Sequence, residues 1–209
     1  MLVCMRMVHP AITVNARASI RTAIDLIGAE AIRTLPVVDR QGRLLGITTD
    51  EDLEQFVERH SENSAVVDDS VVEEVMERDV LTVTENTPIE EAARIIVDYG
   101  ISSLPVVRGG FVVGMIDDSA ILRMVMEMTG SRSDGVRVTY TVDNDPNVIK
   151  NLLLTVMDLN GSVRSLSTFT PDQKDYQLVT VKVDGVEKYA LKQALASHVR
   201  EIIDTFSRG

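Results

Sequence analysis

The residues best suited to chemistry lie in the stretch GITTDEDL, Gly46–Leu53, where a short apolar run ends in two threonines and passes into three acids. Thr49 and Asp52 stand three positions apart, the spacing of a capping box at the start of a helix. A helix start also offers backbone N–H donors to an anion. The stretch therefore permits two interpretations, a helix cap or a binding site for a small ligand.

Other residues of catalytic or metal-binding type are scattered along the chain. His9, His60 and His198 have no cysteine or carboxylate at metal-ligand spacing, so no metal site is expected. Cys4 has no obvious activating partner. The acidic clusters DEDLE and VDDSVVEE are interpreted as solvated helix starts. We therefore expect a protein that is not an enzyme and has no obligatory cofactor.

Composition limits the class of partner. A net charge of −11 and a pI near 4.7 disfavour nucleic acid and anionic membranes, which both require a cationic surface. No apolar run reaches the ~18 residues of a membrane-spanning helix, and a single cysteine fits a reducing compartment. With 44% hydrophobic residues among 209, we expect a cytoplasmic globular protein of two or three compact units.

The first part of the chain is a duplication. Residues 7–38 read MVHPAITVNARASIRTAIDLIGAEAIRTLPVV and align with residues 76–107, which read MERDVLTVTENTPIEEAARIIVDYGISSLPVV. Further on, DRQGRLLGITTDEDL faces RGGFVVGMIDDSAIL with one residue fewer in the second turn. The hydrophobic periodicity predicts the order β-α-β-β-α for each copy. The predicted landmarks are Ser19 as helix cap, Gln41-Gly42 as turn and Asp50 as second helix start in the first copy, and Thr87 with Pro88, Gly109-Gly110 and Asp118 in the second.

A polar linker, TGSRSDG at 129–135, precedes a segment that has no counterpart in the repeat. Alternating apolar residues predict strands in VRVTYTV, SVRSLSTF, YQLVTVKV and VREIIDTF, with the turn TPDQKD between the middle two. Helices are predicted in EKYALKQALASH and in DPNVIKNLLLTVMDLNG, the latter with Asp145 as N-cap and Pro146 as first helical residue. The order β-α-β-β-α-β is the split arrangement of ferredoxin-like domains.

The duplicated units, with LPVV and G-I-T-T-x-x-D at these places, resemble a pair of CBS domains, the Bateman module. The third segment resembles an ACT domain in its element order and its D-x-D-P-N-V helix entry, and the whole chain resembles the CBS–ACT proteins linked to acetoin utilisation. The implied fold class is α/β (α+β), with two tandem β-α-β-β-α units and a ferredoxin-like β-α-β-β-α-β domain. The predicted boundaries are 1–60 for CBS domain 1, 61–71 for a linker, 72–128 for CBS domain 2, 129–135 for a second linker and 136–209 for the ACT-like domain.

The resemblance implies a regulatory site for an adenosine-type nucleotide (AMP, ADP, ATP or S-adenosylmethionine) in the first copy. Thr49 and Asp52 would hold the ribose and the nearby phosphate, and backbone groups at Thr13 would meet the adenine edge. Arg33 is either a phosphate ligand or an exposed arginine at a strand edge. The predicted nucleotide-binding residues are Thr13, Ile32, Arg33, Thr34, Pro36, Ile47, Thr48, Thr49 and Asp52.

The second copy keeps a helix cap at Asp117 but has Ala120 in place of the acid that would hold the ribose. Because Asp117 would also place negative charge near a phosphate, we expect a second, weaker pocket there. Its predicted residues are Thr82, Ser102, Ser103, Pro105 and Asp117.

The ACT resemblance implies an effector loop formed by Asn144, Asp145, Asn147 and Val148. ACT families that bind amino acids usually carry glycine where this chain has Asn147, so a purely structural helix start is the alternative interpretation.

Two functions follow from these features. The leading hypothesis is a non-enzymatic sensor in which nucleotide binding to the CBS pair shifts its packing and regulates an enzyme, with the ACT-like domain as a second effector or dimerisation module. The alternative is a ligand-free dimerisation or scaffold protein. A homodimer is expected in both cases, because the helix SAILRMVMEM offers a Met-rich face that a monomer would leave partly exposed.

Overall fold

The computed structural model describes residues 1–171 and 175–208 of the chain. They form two compact units, Met1–Leu122 and a second that begins at Arg123. In sequence, this boundary precedes the predicted second linker at 129–135 by a few residues.

The first unit consists of the two copies of the repeat except for the end of the last helix, which from Arg123 onward belongs to the second unit, and most of its helices and strands follow the predicted order. The first copy contains β1 (Val14–Asn15), α1 (Ile20–Glu30), β2 (Thr34–Val38), β3 (Leu44–Thr49) and α2 (Asp50–Arg59). A further helix, α3 (Ser64–Asp69), lies in the segment predicted as a linker. The second copy contains α4 (Ile89–Tyr99), β4 (Ser103–Arg108), β5 (Phe111–Asp117) and α5 (Asp118–Met128). The predicted second helix starts, Asp50 and Asp118, are confirmed.

The strands of the two copies pair in the same way. β1 runs parallel to β2, which pairs antiparallel with β3, and β4 pairs antiparallel with β5. The predicted first strand of the second copy is reduced to one parallel bridge, between Val83 and Val106. Both predicted turns join these hairpins, and Gly109 and Gly110 have the positive φ values, 60° and 87°, that glycine adopts without strain.

The helix caps of the two copies differ. Ser19 caps α1 as predicted and accepts a backbone N–H of the first turn at 3.1 Å. The corresponding prediction for α4 is wrong, because Pro88 occupies the N-cap position and the Thr87 hydroxyl is used within the preceding turn. The N–H of Ile89 donates instead to the carbonyl of Met1. A contact distant in sequence therefore replaces the local cap.

The core of the first copy is built from the apolar faces that the periodicity predicts. Ile20 and Ala23 of α1 are fully buried against Leu35 and Val37 of β2 and against Leu53 of α2. The helices pack through apolar faces with a 3.6-residue period, and β2 is buried along its whole length. Because Leu53 is part of this core, the start of α2 is held beside the end of β3.

The second unit has the predicted ferredoxin-like topology. Its elements are β6 (Gly135–Asp143), α6 (Val148–Asp158), β7 (Ser162–Phe169), β8 (Tyr176–Asp184), α7 (Lys188–Leu195) and β9 (Glu201–Arg208). The strands form one antiparallel sheet in the order β7-β8-β6-β9, which is the split β-α-β arrangement. Residues 172–174 of the predicted turn TPDQKD lie outside the described residues.

The predicted start of α6 is shifted by two residues. Asn147 is at the N-cap position and the helix begins at Val148, not at Pro146. The carboxylate of Asp145 accepts the backbone N–H of Asn147 at 2.9 Å and so closes a turn ahead of the helix. Asp145 thus stabilises the approach to α6 and is not its cap.

Tyr140 of β6 gives the second unit a pH dependence that can be measured. The residue is 2% exposed, and burial raises the pKa of its phenol. Because the unfolded chain loses this proton above its ordinary pKa of about 10 while the folded state keeps it, stability is intact below pH 10 and falls above it. Between pH 9 and pH 11 the free energy of unfolding, measured with urea, should fall by about 1.4 kcal/mol less in Tyr140→Phe than in the native chain. Tyr189→Phe, at a residue that is 72% exposed, should leave the loss unchanged, and equal effects of the two substitutions would contradict the assignment.

Candidate functional site

Each copy of the repeat contributes its leading segment to the other copy. The backbones of Ile47 in β3 and Glu77 exchange two hydrogen bonds, at 2.9 and 2.8 Å. Val8 and Met115 in β5 exchange the equivalent pair, at 2.8 and 3.0 Å. The segment that opens the second copy therefore lies beside the last strand of the first, and the opposite is also true. Any cavity next to these strands must contain residues of both copies.

A glycine in each copy permits this exchange. A Cβ atom on Gly46 would lie 2.6 Å from the carbonyl oxygen of Glu77 and 2.8 Å from the sulfur of Met76. A Cβ on Gly114 would lie 2.9 Å from the carbonyl oxygen of Val8. Both distances are too short for a carbon atom, so the glycine of the motif G-h-x-T is required for packing between the copies.

One cavity of the first unit has a volume of about 750 Å³. Its first wall consists of Arg33 and of residues from β2, β3 and the start of α2. Its second wall comes from the second copy, from the segment before α4, the last residue of α4 and the segment that leads into β4. The lining residues are Arg33, Thr34, Ile47, Thr49, Asp50, Glu51, Glu77, Asp79, Val80, Leu81, Tyr99, Gly100, Ile101, Ser102 and Ser103. We call this the first cavity.

A smaller cavity, of about 180 Å³, is the counterpart of the first with the two copies exchanged. The start of α5 takes the place of the start of α2, and the residues around β1 and α1 take the place of those around α4. The lining residues are Val8, Ile12, Ala31, Ile32, Arg33, Thr34, Ser102, Ser103, Met115, Asp117, Asp118 and Ser119. We call this the second cavity.

The two cavities share one wall. Arg33, Thr34, Ser102 and Ser103, which precede the prolines of β2 and β4, line both. The hydroxyl oxygen of Ser103 is buried and has no hydrogen-bond partner among the described residues. Because buried hydroxyls are normally hydrogen-bonded, this oxygen lacks a partner that a folded protein usually supplies.

The start of α2 in the first cavity is a complete capping box. The Thr49 hydroxyl accepts the N–H of Asp52 at 3.1 Å, while Oδ2 of Asp52 accepts the Thr49 N–H at 2.9 Å and its hydroxyl at 2.7 Å. The N–H of Asp50 donates to the carbonyl of Arg33, and the N–H of Glu51 to the Asp50 carboxylate. The expectation of free backbone donors for an anion is therefore wrong here, because the first-turn N–H groups already have partners.

The charge of the first cavity is mainly negative. Its walls carry the carboxylates of Asp50, Glu51, Glu77 and Asp79 and one guanidinium, that of Arg33. Arg33 is 75% exposed and its Nε lies 3.9 Å from Asp50, so this ion pair contributes little to stability. Among the described residues no group of three or more histidine, cysteine or acidic side chains is arranged to hold a metal ion.

The structure groups the predicted binding residues differently from the sequence. Each predicted pocket was confined to one copy, whereas each cavity combines the helix start of one copy with the leading segment of the other. Of the residues predicted for the first pocket, Arg33, Thr34, Ile47 and Thr49 line the first cavity and Ile32 lines the second. Thr13, Pro36, Thr48 and Asp52 line neither cavity, although Asp52 contacts the wall residue Thr49. Of those predicted for the second pocket, Ser102, Ser103 and Asp117 line the second cavity, while Thr82 and Pro105 do not.

The second cavity keeps the helix cap that the sequence predicts. Oδ1 of Asp117 accepts the N–H of Ala120 at 2.6 Å, so Asp117 performs at α5 the role that Thr49 performs at α2. The Ala120 side chain is buried, at 4% exposed. The second copy thus retains the fold of the motif but has Ala120 where the first copy has its acid, Asp52.

Sequence reasoning missed the part of the first cavity that the second copy supplies. Asp79, Val80 and Leu81 line it, together with the exposed ring of Tyr99. The repeat alignment contained a usable signal, since residues 79–81 correspond to the segment before Thr13. It did not indicate that this segment faces the other copy.

The predicted effector loop of the second unit borders a small cavity of about 110 Å³. Asp145 and Val148 line it together with Asp143, Asn151 and His198, whereas Asn144 and Asn147 do not. Effector binding by this loop stays a prediction.

Comparison with known proteins identifies the repeat. The family model described as CBS domain matches residues 3–59 and 72–127, together just over half of the chain. The chain belongs to the CBS-domain family. CBS-domain proteins are typically regulatory, and the assignment of the second unit to the ACT family stays a prediction.

Solved structures that include a CBS domain pair resemble about 60% of this chain. The CBS domain pair of protein MJ0100, in complex with 5′-methylthioadenosine and S-adenosyl-L-methionine, is 31% identical at a TM-score of 0.54 over 60% of this chain and 99% of that one. CBSX2 in complex with AMP is 27% identical at a TM-score of 0.52 over 60% and 96%. A Vibrio cholerae protein ascribed to acetoin utilization, AcuB, is 28% identical at a TM-score of 0.56 over 63% and 95%.

Two curated relatives match about half of this chain. A homoserine O-acetyltransferase of Methanococcoides burtonii is 37% identical over 54% of this chain, and an L-aspartate semialdehyde sulfurtransferase of Methanocaldococcus jannaschii is 32% identical over 55%. The match spans only 22% and 21% of those two proteins. Within the described residues, no helix has the length and apolar character needed to cross a membrane.

Proposed function

We propose that this protein is a non-enzymatic sensor that binds an adenosine-type nucleotide in the first cavity. The observation that carries the proposal is a cavity of about 750 Å³ whose walls come from both CBS copies and include Thr49 of the motif. Its volume is in the range of small-molecule sites. Related CBS pairs solved with S-adenosyl-L-methionine or AMP support the ligand class.

The charge of the first cavity favours an adenosyl ligand without phosphates. Four carboxylates against one guanidinium repel AMP, ADP and ATP, whereas they attract the cationic sulfonium of S-adenosylmethionine. The occupied N–H groups of α2 also remove the usual donors for a phosphate. S-adenosylmethionine and methylthioadenosine are therefore the preferred candidates, and Arg33 is left to bind a carboxylate.

A ligand in the first cavity would contact both copies and so favour one packing of the pair over another. Such coupling requires different ligand affinities for the two arrangements. The proposal also includes the second unit, which would act as a second effector or dimerisation module. The regulated partner would be an enzyme. The exposed apolar residues of α5, Leu122, Val125 and Met128, support the expected homodimer.

Calorimetric titration tests the proposal. At low ionic strength without divalent cations, S-adenosylmethionine and methylthioadenosine should bind about tenfold more tightly than AMP or ATP. Asp79→Asn should strengthen ATP binding and so reduce the difference in affinity between S-adenosylmethionine and ATP. The control Asp69→Asn makes the same charge change on α3 and should leave this difference unchanged. If ATP bound more tightly than S-adenosylmethionine, the charge argument would be wrong, but the proposal of an adenosine-type ligand in the first cavity would stand. No heat and no thermal shift with any of the four ligands at millimolar concentration would favour the alternative, a ligand-free scaffold.

A further inference from the structure

The second unit contains a cavity whose charge is opposite to that of the protein. Its volume is about 460 Å³, and its lining residues are Arg123, Met126, Glu127, Gly130, Arg132, Ser133 and Arg164. Three guanidiniums face one carboxylate there, in a chain whose net charge is −11. They come from α5, the following loop and β7. Arginines far apart in sequence are therefore concentrated at one place.

A buried lysine fixes the loop that forms the floor of this cavity. Lys182 of β8 is 5% exposed, and its ammonium donates to the carbonyl of Gly130 at 2.7 Å and to that of Ser133. The Ser133 hydroxyl also donates to the Gly130 carbonyl, at 2.9 Å. Gly130 has a φ of +61°, and a Cβ there would lie 3.0 Å from the Ser133 hydroxyl. The loop is therefore held in one conformation before any ligand binds.

The positive charge beneath the loop is not neutralised locally. Lys182 has no carboxylate partner among the described residues, although a buried charge is normally paired. Arg132, in the same loop, forms no hydrogen bond or ion pair with the described residues. Arg164 is bonded to Asp184 through Nη2, which leaves its other N–H groups available. The buried ammonium of Lys182 and the guanidinium of Arg132 therefore place positive charge at one rigid loop, which favours binding of an anion.

We propose that this cavity is a binding site for a small phosphorylated molecule. Arginine presents its N–H groups as a planar fork that matches the oxygens of a phosphate, and several such groups around one cavity suit a dianion. The volume exceeds that of one phosphate group, so a phosphorylated organic molecule fits. The acidic surface elsewhere disfavours a nucleic acid. This site is separate from the first cavity and does not depend on the nucleotide proposal.

Titration of the full chain with inorganic pyrophosphate tests the site. At low ionic strength, pyrophosphate should bind the native chain, and Arg132→Gln should weaken that binding about tenfold without changing the melting temperature. Arg164→Gln should weaken it as well. Two controls should leave it unchanged: Arg40→Gln, an exposed turn arginine, and Arg137→Gln, which like Arg164→Gln loses one ion pair of the sheet. The proposal would be overturned if the native chain did not bind pyrophosphate at about 10 mM, or if Arg132→Gln and Arg40→Gln bound it with equal affinity. Tighter binding of citrate than of pyrophosphate would also overturn it, because the site would then be one for carboxylates.

Discussion

Replacing Asp52 with alanine is expected to reduce the affinity for the adenosyl ligand by about ten- to hundredfold, as the loss of charge-assisted hydrogen bonds predicts. Oδ2 of Asp52 accepts both the backbone N–H and the hydroxyl of Thr49, which leaves Oδ1 without a partner among the described residues. Asp52 does not itself line the first cavity but contacts its wall residue Thr49, and we expect a bound ligand to bring a ribose hydroxyl to this oxygen. The substitution also removes a cap, so the free energy of unfolding should fall by about 0.5–1 kcal/mol. Calorimetry and thermal unfolding on the same sample separate the two effects.

The control for Asp52→Ala is a cap outside both cavities. Ser19→Ala removes the cap of α1 and should lower stability by a similar amount while leaving ligand affinity unchanged. If Asp52→Ala instead behaves like Ser19→Ala, the stretch GITTDEDL is only a helix start.

Replacing Gly46 with alanine should destabilise the first unit by about 1–3 kcal/mol, the usual cost of overpacking a core. The added carbon would lie 2.6 Å from a backbone oxygen, that of Glu77, which cannot move without breaking its bonds to Ile47. Because this exchange also builds the wall of the first cavity, ligand binding should fall in parallel. Urea unfolding and ligand titration of the same variant measure both effects.

Gly28 supplies a matched control for Gly46→Ala. It lies inside α1, and nothing is within 4 Å of a Cβ added there. Gly28→Ala should therefore stabilise the protein by about 0.5–1 kcal/mol through the helix propensity of alanine. A neutral Gly46→Ala beside a stabilising Gly28→Ala would show that the two copies do not pack as closely as their shared hydrogen bonds require.

The sequence by itself determined the repeat and most of the order of helices and strands in both units, although it missed α3 and predicted a strand at Val83 that is only a single bridge. These depend on local physics. Apolar residues at helical or strand spacing select the element, as in α1, and the Gly109-Gly110 turn selects the hairpin. The capping box of Thr49 and Asp52 is likewise made within four residues of chain, and it was predicted correctly.

The tertiary structure decided the features that depend on distant segments. The cap of α4 was mispredicted because the carbonyl of Met1, far away in sequence, accepts the N–H of Ile89. The first cavity takes Asp79 and Tyr99 from the second copy because Ile47 and Glu77 pair across the two copies. The charge around Arg33 follows from the same exchange. A motif specifies its own hydrogen bonds, but which segment packs against it, and with what charge, is set by burial and pairing between copies that local periodicity does not contain.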